Sequence, residues 1–132
     1  MAWPGRPSGG PGRPALSALI LVALAFLIMG VVAIAAPDRV LALVDVPRLP
    51  WAARNEVRAV YGGFGLAVGG LLLAAPAQPA WRAGIVVTVA VALLGMAGGR
   101  LAGLVLDRRL PGWPAGFLVA ELLLSVLLLS AF

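Results

Sequence analysis

Four apolar stretches, each about long enough to cross a bilayer, constrain this chain more than any other feature of its sequence. They cover residues 15–36, 53–75, 82–106 and 113–132, and short links rich in proline and arginine separate them. A helix of about 20 residues spans the roughly 30 Å of a hydrocarbon core. Because unpaired backbone groups are costly in lipid, we expect a helix at each stretch, alternating in direction. The predicted fold is therefore all-α, a bundle of four transmembrane helices.

The composition supports this fold and excludes several kinds of chemistry. Apolar residues make up 62% of the chain and charged residues 11%, against about 45–50% and 25% in soluble domains. There is no cysteine or histidine, and all ten basic residues are arginine, so we expect no disulfide, metal, Schiff base or other cofactor. The ten arginines lie singly or in pairs between apolar runs, which argues against nucleic-acid binding despite a net charge of +5. The high alanine and glycine content is typical of a GC-rich bacterial genome, and we expect a multi-pass protein of the cell membrane.

The chain divides into a tail and one membrane domain. Residues 1–14 are mostly proline, glycine and arginine, and we expect them to form a disordered tail. Residues 15–132 form the predicted domain. Its first stretch is long for the apolar core of a signal peptide, although Ala33-Ile34-Ala35 resembles a cleavage site, so we interpret it as a retained span. Between prolines, residues 37–50 predict a short helix along the membrane interface.

Glycines recur at helical spacing in the second and third stretches. Gly95, Gly99 and Gly103 form one ladder, and Gly65 and Gly69 form another. Such ladders let helix backbones approach closely in lipid. We therefore expect the second and third spans to face each other.

The segment NEVRAVYGGFG, residues 55–65, places charge at the start of the second span. At about 100° per residue, six side chains share one side of a helix, and Glu56 points roughly the other way. The six are Arg54, Arg58, Tyr61, Gly62, Gly65 and Gly69. The prediction is an arginine–tyrosine stripe lying over a glycine groove.

Depth brings residues from three spans together. Arg58, Tyr61, Arg100 and Glu121 all lie about 7–12 Å from the same membrane face at 1.5 Å per residue. Since charges inside a bilayer are costly, such residues face the bundle interior and pair. Arg100 with Glu121 is the first predicted pair, and Arg58 with Glu121 or Glu56 with Arg100 is the alternative. These pairs could also act only as structural clasps.

The same residues carry a family resemblance. The core N-E-x-R-x-x-Y-G-G at residues 55–63, G-R-L-x-G at residues 99–103 and the later Glu121 resemble a family of small bacterial membrane proteins. It is catalogued as domain of unknown function 4345. The resemblance covers roughly residues 15–132 and implies a four-helix membrane fold without a settled activity. It also implies that Glu56, Arg58, Tyr61, Arg100 and Glu121 form one constellation.

Three functions are compatible with this constellation. In the first, a pocket holds a lipophilic substrate for acid-catalysed isomerisation, epoxide opening or terpenoid-type cyclisation. Glu121 is then the general acid, with Glu56 and Tyr61 as further catalytic candidates. The predicted substrate-binding residues are Asn55, Arg58, Gly62, Gly65 and Arg100.

The alternatives are a proton-coupled small transporter and an accessory subunit without chemistry of its own. Four spans are few for one pore, so a transporter would have to be a homo-oligomer. The expected partners are the lipid bilayer and a lipophilic or anionic small molecule.

Overall fold

A computed structural model describes residues 9–110 and 112–131 of the chain. Residues 1–8, which hold most of the predicted disordered tail, lie outside the described part. The described chain is all-α, as the sequence predicts. Four of its helical stretches are long and apolar enough to cross a membrane: Arg13–Ala35, Trp51–Ala77, Pro79–Asp107 and Gly112–Leu129. The protein therefore has the architecture of a multi-pass membrane protein.

The first span is helix α1, Arg13–Ala35. A six-residue helix, α2, follows it at Pro37–Ala42, with Pro37 in its first turn and Asp38 beside it. Proline is favoured there because its missing N–H has no helical partner at that position. A short helix after the first span is thus present, but it ends at Ala42 and does not extend over residues 37–50 as predicted.

The second span runs without a break from Trp51 to Ala77. It consists of α3, Trp51–Val57, a π-helical segment, Arg58–Gly63, and α4, Phe64–Ala74, and it ends in a 3₁₀ turn. The π-helical segment lies within the NEVRAVYGGFG stretch and was not predicted. A π segment widens the turn and changes the direction of the side chains before it.

The third and fourth spans are α5, Pro79–Asp107, and α6, Gly112–Leu129. Arg108 ends α5 with a left-handed backbone conformation, φ 54°. Tertiary contacts show the predicted alternation in direction. Arg100 of α5 contacts Glu121 of α6, whereas Arg82 lies near Ala131, so these two helices are antiparallel.

The bundle is built from two helix pairs. α1 packs along the second span, and α5 packs along α6, while fewer contacts join the pairs. A common apolar core lies between all four spans; its buried members are Leu19, Val22, Ala23, Phe26, Leu72, Ala75, Ile85, Val86, Val89, Ala90, Leu93 and Leu128. A smaller cluster of Ala33, Leu49 and Val57 lies beneath the link between α1 and α3.

Glycines hold α1 close to the second span. A Cβ on Gly65 would lie 3.0 Å from the carbonyl oxygen of Phe26, and one on Gly69 would lie 2.6 Å from the side chain of Leu27. A Cβ on Gly62 would lie 2.7 Å from Ile34. At Gly65 and Gly69 the added Cβ would also lie 3.0 Å from a backbone carbonyl oxygen of α1, so the two helices would have to move slightly apart. Close approach of this kind is the role that small residues have between helices in lipid.

Candidate functional site

Arg100 and Glu121 form a deeply placed ion pair between α5 and α6. The Arg100 Nε donates to both Glu121 oxygens, at 3.0 and 2.9 Å, and Nη2 donates to Oε1 at 2.9 Å. Glu121 is only 7% exposed, and the Arg100 side chain is 29% exposed. Guanidinium–carboxylate pairs with two or more hydrogen bonds are strong and geometrically specific. The first predicted pair is confirmed.

The α6 helix supplies a supporting face around this pair. Phe117, Glu121 and Ser125 follow one another at four-residue spacing, which places them on one side of the helix. The Arg100 guanidinium carbon lies 5.2 Å from the centre of the Phe117 ring, within reach of a cation–π interaction. Ser125 is fully buried and donates to the carbonyl of Leu122 at 2.8 Å. Sequence reasoning missed Phe117 and Ser125, although their spacing from Glu121 was a usable signal.

Arg58 has a different partner from either alternative pair. Its Nε donates to the carbonyl oxygen of Ile34 at 2.9 Å. Ile34 lies in the last turn of α1, where backbone carbonyls have no helical donor and carry partial negative charge. Arg58 therefore caps the end of α1. The described residues contain no Arg58–Glu121 or Glu56–Arg100 pair.

The remaining predicted residues of the second span do not join the Arg100–Glu121 pair. Asn55, Glu56 and Tyr61 are exposed, Tyr61 by 41%. Gly62 and Gly65 are buried against α1. Arg58 and these two glycines do lie on one side of the second span, as the predicted stripe requires, but that side faces α1.

A second polar cluster, which the sequence analysis missed, ties down the link after α1. Asp38 pairs with Arg54, with 3.0 Å between Oδ2 and Nη2. Its other oxygen accepts the backbone N–H of Leu49 at 2.9 Å. Both side chains are partly exposed, by 34% and 42%. Asp38 therefore anchors the link and the start of the second span together.

An apolar groove separates the second span from α5. It encloses about 530 Å³ and is reached by one α1 side chain; its lining consists of Phe26, Phe64, Val68, Leu71, Ala80, Trp81, Gly84, Ile85, Thr88, Val89, Ala92 and Met96. Thr88 brings a hydroxyl group and Trp81 an indole N–H, and the other lining side chains are apolar. The groove follows α5 from Ala80 to Met96, about 24 Å at 1.5 Å per residue.

The glycine ladder of α5 continues the groove side of that helix. At about 100° per residue, Gly95, Gly99 and Gly103 lie on the same side as Trp81, Thr88 and Met96. A Cβ on any of the three glycines would meet no atom within 4 Å. The second and third spans do face each other across the groove, as the ladders predicted, but the α5 glycines do not hold them together, because the second span packs mainly on α1.

Arg100 lies at the border between two sides of α5. By the same angular count, it falls between the groove residue Val89 and Leu93, which is buried in the core. Its side chain reaches Glu121 on α6, while Met96, one turn earlier, lines the groove. Arg100 and Glu121 do not line the groove themselves; Arg100 lies one helical turn beyond Met96, the last groove residue on α5.

Comparison with known proteins identifies the family and nothing closer. The model of the family described as a domain of unknown function, DUF4345, matches residues 15–132. No curated protein and no solved structure matches the chain. The chain belongs to the DUF4345 family, as its motifs predict.

Proposed function

We propose that this protein binds a lipophilic molecule with an anionic or strongly polar head. The observation that carries the proposal is the apolar groove between the second span and α5, with the Arg100–Glu121 pair one helical turn beyond Met96, its last lining residue on α5. Apolar walls with a few convergent polar groups are the usual form of a small-molecule site. We also propose that the site lies in a bacterial cell membrane, from which such a molecule would enter sideways.

The size of the groove fits a single chain of a lipid-like molecule. Its volume of about 530 Å³ falls within the roughly 300–1,000 Å³ of typical ligand pockets. Its length of about 24 Å exceeds half of the roughly 30 Å hydrocarbon core, which is the depth that one leaflet offers. The open glycine face from Gly95 to Gly103 would let a bulky chain extend beyond Met96.

Arg100 is suited to bind the polar head of a ligand beyond the Met96 end of the groove. Its Nε and Nη2 donate to Glu121, and no acceptor for Nη1 lies among residues 9–110 and 112–131. Arginine is suited to carboxylate and phosphate groups because its planar fork can donate to two partners at once. A ligand anion could therefore share Arg100 with Glu121.

The Arg100–Glu121 pair limits the role of Glu121 in the acid-catalysed reactions that the sequence predicts. Glu121 accepts three hydrogen bonds from Arg100, which occupy both of its carboxyl oxygens. A substrate could contact these oxygens only where Arg100 gives way. We propose that isomerisation, epoxide opening or cyclisation through Glu121 would require a ligand anion that takes Arg100 away. Ligand binding is thus the primary proposal, and acid catalysis depends on it.

Photolabelling with a groove-filling variant tests the proposal. Gly84 lines the groove and a Cβ there meets nothing within 4 Å, so Gly84→Leu should fill the groove without disturbing the helices. Gly70→Leu is the matched control, because Gly70 is equally unobstructed but outside the groove lining. The probe is a diazirine-bearing fatty acid in detergent, with its methyl ester as a neutral counterpart.

We expect the fatty acid to label lining residues of α4 and α5, and Gly84→Leu to lose most of this labelling while Gly70→Leu keeps it. The ester should label more weakly if Arg100 contacts the head. Equal labelling of the two leucine variants would show that the groove is not the binding site.

A further inference from the structure

Arg82 lies in a cavity of its own, on the opposite side of α5 from the groove. The cavity encloses about 210 Å³ and is lined by Leu19, Pro79, Arg82, Ala83, Val86 and Ala131. Arg82 is the only charged residue among them. Its Nη1 atom is buried and has no hydrogen-bond partner in the described chain.

An unpaired, buried guanidinium nitrogen is costly. Burial removes the water that hydrates the group, and a donor without an acceptor gains no hydrogen bond in exchange. The Arg100–Glu121 pair shows how the same chain satisfies another arginine. The described protein atoms provide no acceptor for Nη1 of Arg82; the Nε of Arg54 is in the same state, but Arg54 also pairs with Asp38.

The chain has no acidic side chain that could reach Arg82. Its five acidic residues are Asp38, Asp45, Glu56, Asp107 and Glu121. Glu121 is held by Arg100, which lies eighteen residues from Arg82 on α5, about 27 Å away. The other four belong to the opposite end of the bundle, at the links after α1 and after α5 or in the first turns of the second span.

The start of α5 adds positive potential at the same place. The positive end of the dipole of this 29-residue helix lies beside Arg82, with no acidic residue in its first turn and no side-chain cap. Trp81 is 64% exposed, and tryptophan concentrates at the level of lipid headgroups. Arg82 thus combines a buried, unpaired guanidinium nitrogen with a helix start that has no side-chain cap.

We propose that the Arg82 cavity binds the phosphate of an anionic phospholipid from the surrounding leaflet. The phosphate would accept from Nη1 within the cavity, and the acyl chains would lie along the apolar surface of α1 and α5. Phosphate is a suitable occupant because its several oxygens match the donors of an arginine. This site is independent of the groove and of the Arg100–Glu121 pair.

Lipid titration in a phosphate-free maltoside detergent tests the site. Native mass spectrometry would follow the binding of one dioleoylphosphatidylglycerol, with dioleoylglycerol as the lipid that lacks phosphate. Arg82→Gln removes the site, and Arg13→Gln is the matched control, since Arg13 is an exposed arginine at the start of α1, at the same end of the bundle.

We expect Arg82→Gln to weaken phosphatidylglycerol binding about tenfold or more, the size of a charge-assisted hydrogen bond, and Arg13→Gln to leave it nearly unchanged. Dioleoylglycerol should bind both variants and the parent protein equally. Competition by inorganic phosphate would assign the same site to a free anion. Equal binding of phosphatidylglycerol to the two variants would overturn the proposal.

Thermal unfolding provides a second readout that does not depend on mass spectrometry. Without lipid, Arg82→Gln should unfold at the same temperature as the parent protein or higher, because it removes an unsatisfied buried donor. With phosphatidylglycerol, the parent protein should become the more stable of the two. A variant that is less stable in both conditions would show that Arg82 already has a partner in the protein.

A carboxylate at the end of the chain is the rival anion, since Ala131 lines the cavity. A variant extended beyond residue 132 by a short Gly-Ser tail moves such a carboxylate away. Phosphatidylglycerol binding that stays the same in the extended variant supports the lipid site. A large gain in lipid binding on extension would show that the chain itself fills the cavity.

Discussion

The two helix pairs use glycine in opposite ways. In the first pair, Gly65 and Gly69 lie against the backbone and side chains of α1, where a Cβ would collide at 3.0 and 2.6 Å. In the second pair, Gly95, Gly99 and Gly103 of α5 face open space. The sequence spacing is the same in both ladders. Whether a ladder closes an interface or leaves a surface open is decided by which neighbour the rest of the helix packs against.

The two pairs also differ in how they place charge. Asp38, Arg54 and Arg58 lie at the end of the first pair, where they are partly exposed, and they hold helix ends and a link in place. Arg100 and Glu121 lie well inside the second pair, and Glu121 is almost fully buried. The first set of charges is explained by packing alone. The second set costs more to bury and is adjacent to the groove, which makes it the better candidate for function.

The largest effect is expected from breaking the buried pair. Arg100→Met or Glu121→Gln alone should destabilise the protein by about 3–5 kcal/mol, because each leaves a buried polar or charged group without its partner. The double variant should recover much of that loss. A double-mutant cycle of reversible unfolding in mixed micelles measures the coupling.

Arg109→Met is the control for loss of one positive charge, since Arg109 is exposed at the end of α5. It should change stability little. Loss of fatty-acid labelling in the double variant, despite restored stability, would assign the pair a role in function. Retained labelling would identify the pair as a structural clasp. A coupling energy near zero would contradict the observed contact.

A glycine-to-alanine comparison between the two ladders should give effects of opposite sign. At Gly65, we expect overpacking against α1 to cost about 1–3 kcal/mol. This exceeds the roughly 0.5–1 kcal/mol that alanine gains over glycine within a helix. At Gly99 only the gain applies, since the added methyl group meets nothing. The same unfolding assay measures both variants, and destabilisation by Gly99→Ala would show that the α5 ladder is packed.

Much of the fold could be predicted from the sequence. The four spans follow from the length of the apolar runs, and Pro37 marks the short helix after the first. Arg100 and Glu121 were paired correctly because charges at equal depth in apolar helices have few other partners. These predictions depend on which residues avoid water and which require it. The residue types and their positions along each apolar run show this directly.

The neighbours of each helix could not be predicted in the same way. In a membrane, several sides of a helix are equally apolar, so hydrophobicity does not show which side packs against which neighbouring helix. The π-helical segment at residues 58–63 also changes the direction of preceding side chains relative to a regular helix. The groove depends on these choices of neighbour, so its lining could not be read from the sequence. The sequence likewise predicts a ligand as the partner of Arg58. Its actual partner is the backbone carbonyl of Ile34, and a sequence does not show which backbone group a side chain will meet.

The smallest effect is expected at the exposed charges of the first pair, where salt should separate them from the buried pair. The Asp38–Arg54 bridge is partly exposed on both sides, and such pairs contribute about 0.2–1 kcal/mol. Screening at 1 M salt acts over about 3 Å, so the Asp38–Arg54 coupling should largely disappear there, while the Arg100–Glu121 coupling should persist. Two double-mutant cycles, each at low and at high salt, measure the difference.

Asp38→Ala should cost more stability than Arg54→Gln at either salt concentration, because Asp38 also accepts the backbone N–H of Leu49. Equal costs for these two variants would show that the link after α2 does not depend on that hydrogen bond, and an equally salt-sensitive coupling in both pairs would show that Arg100 and Glu121 are not shielded by the bundle.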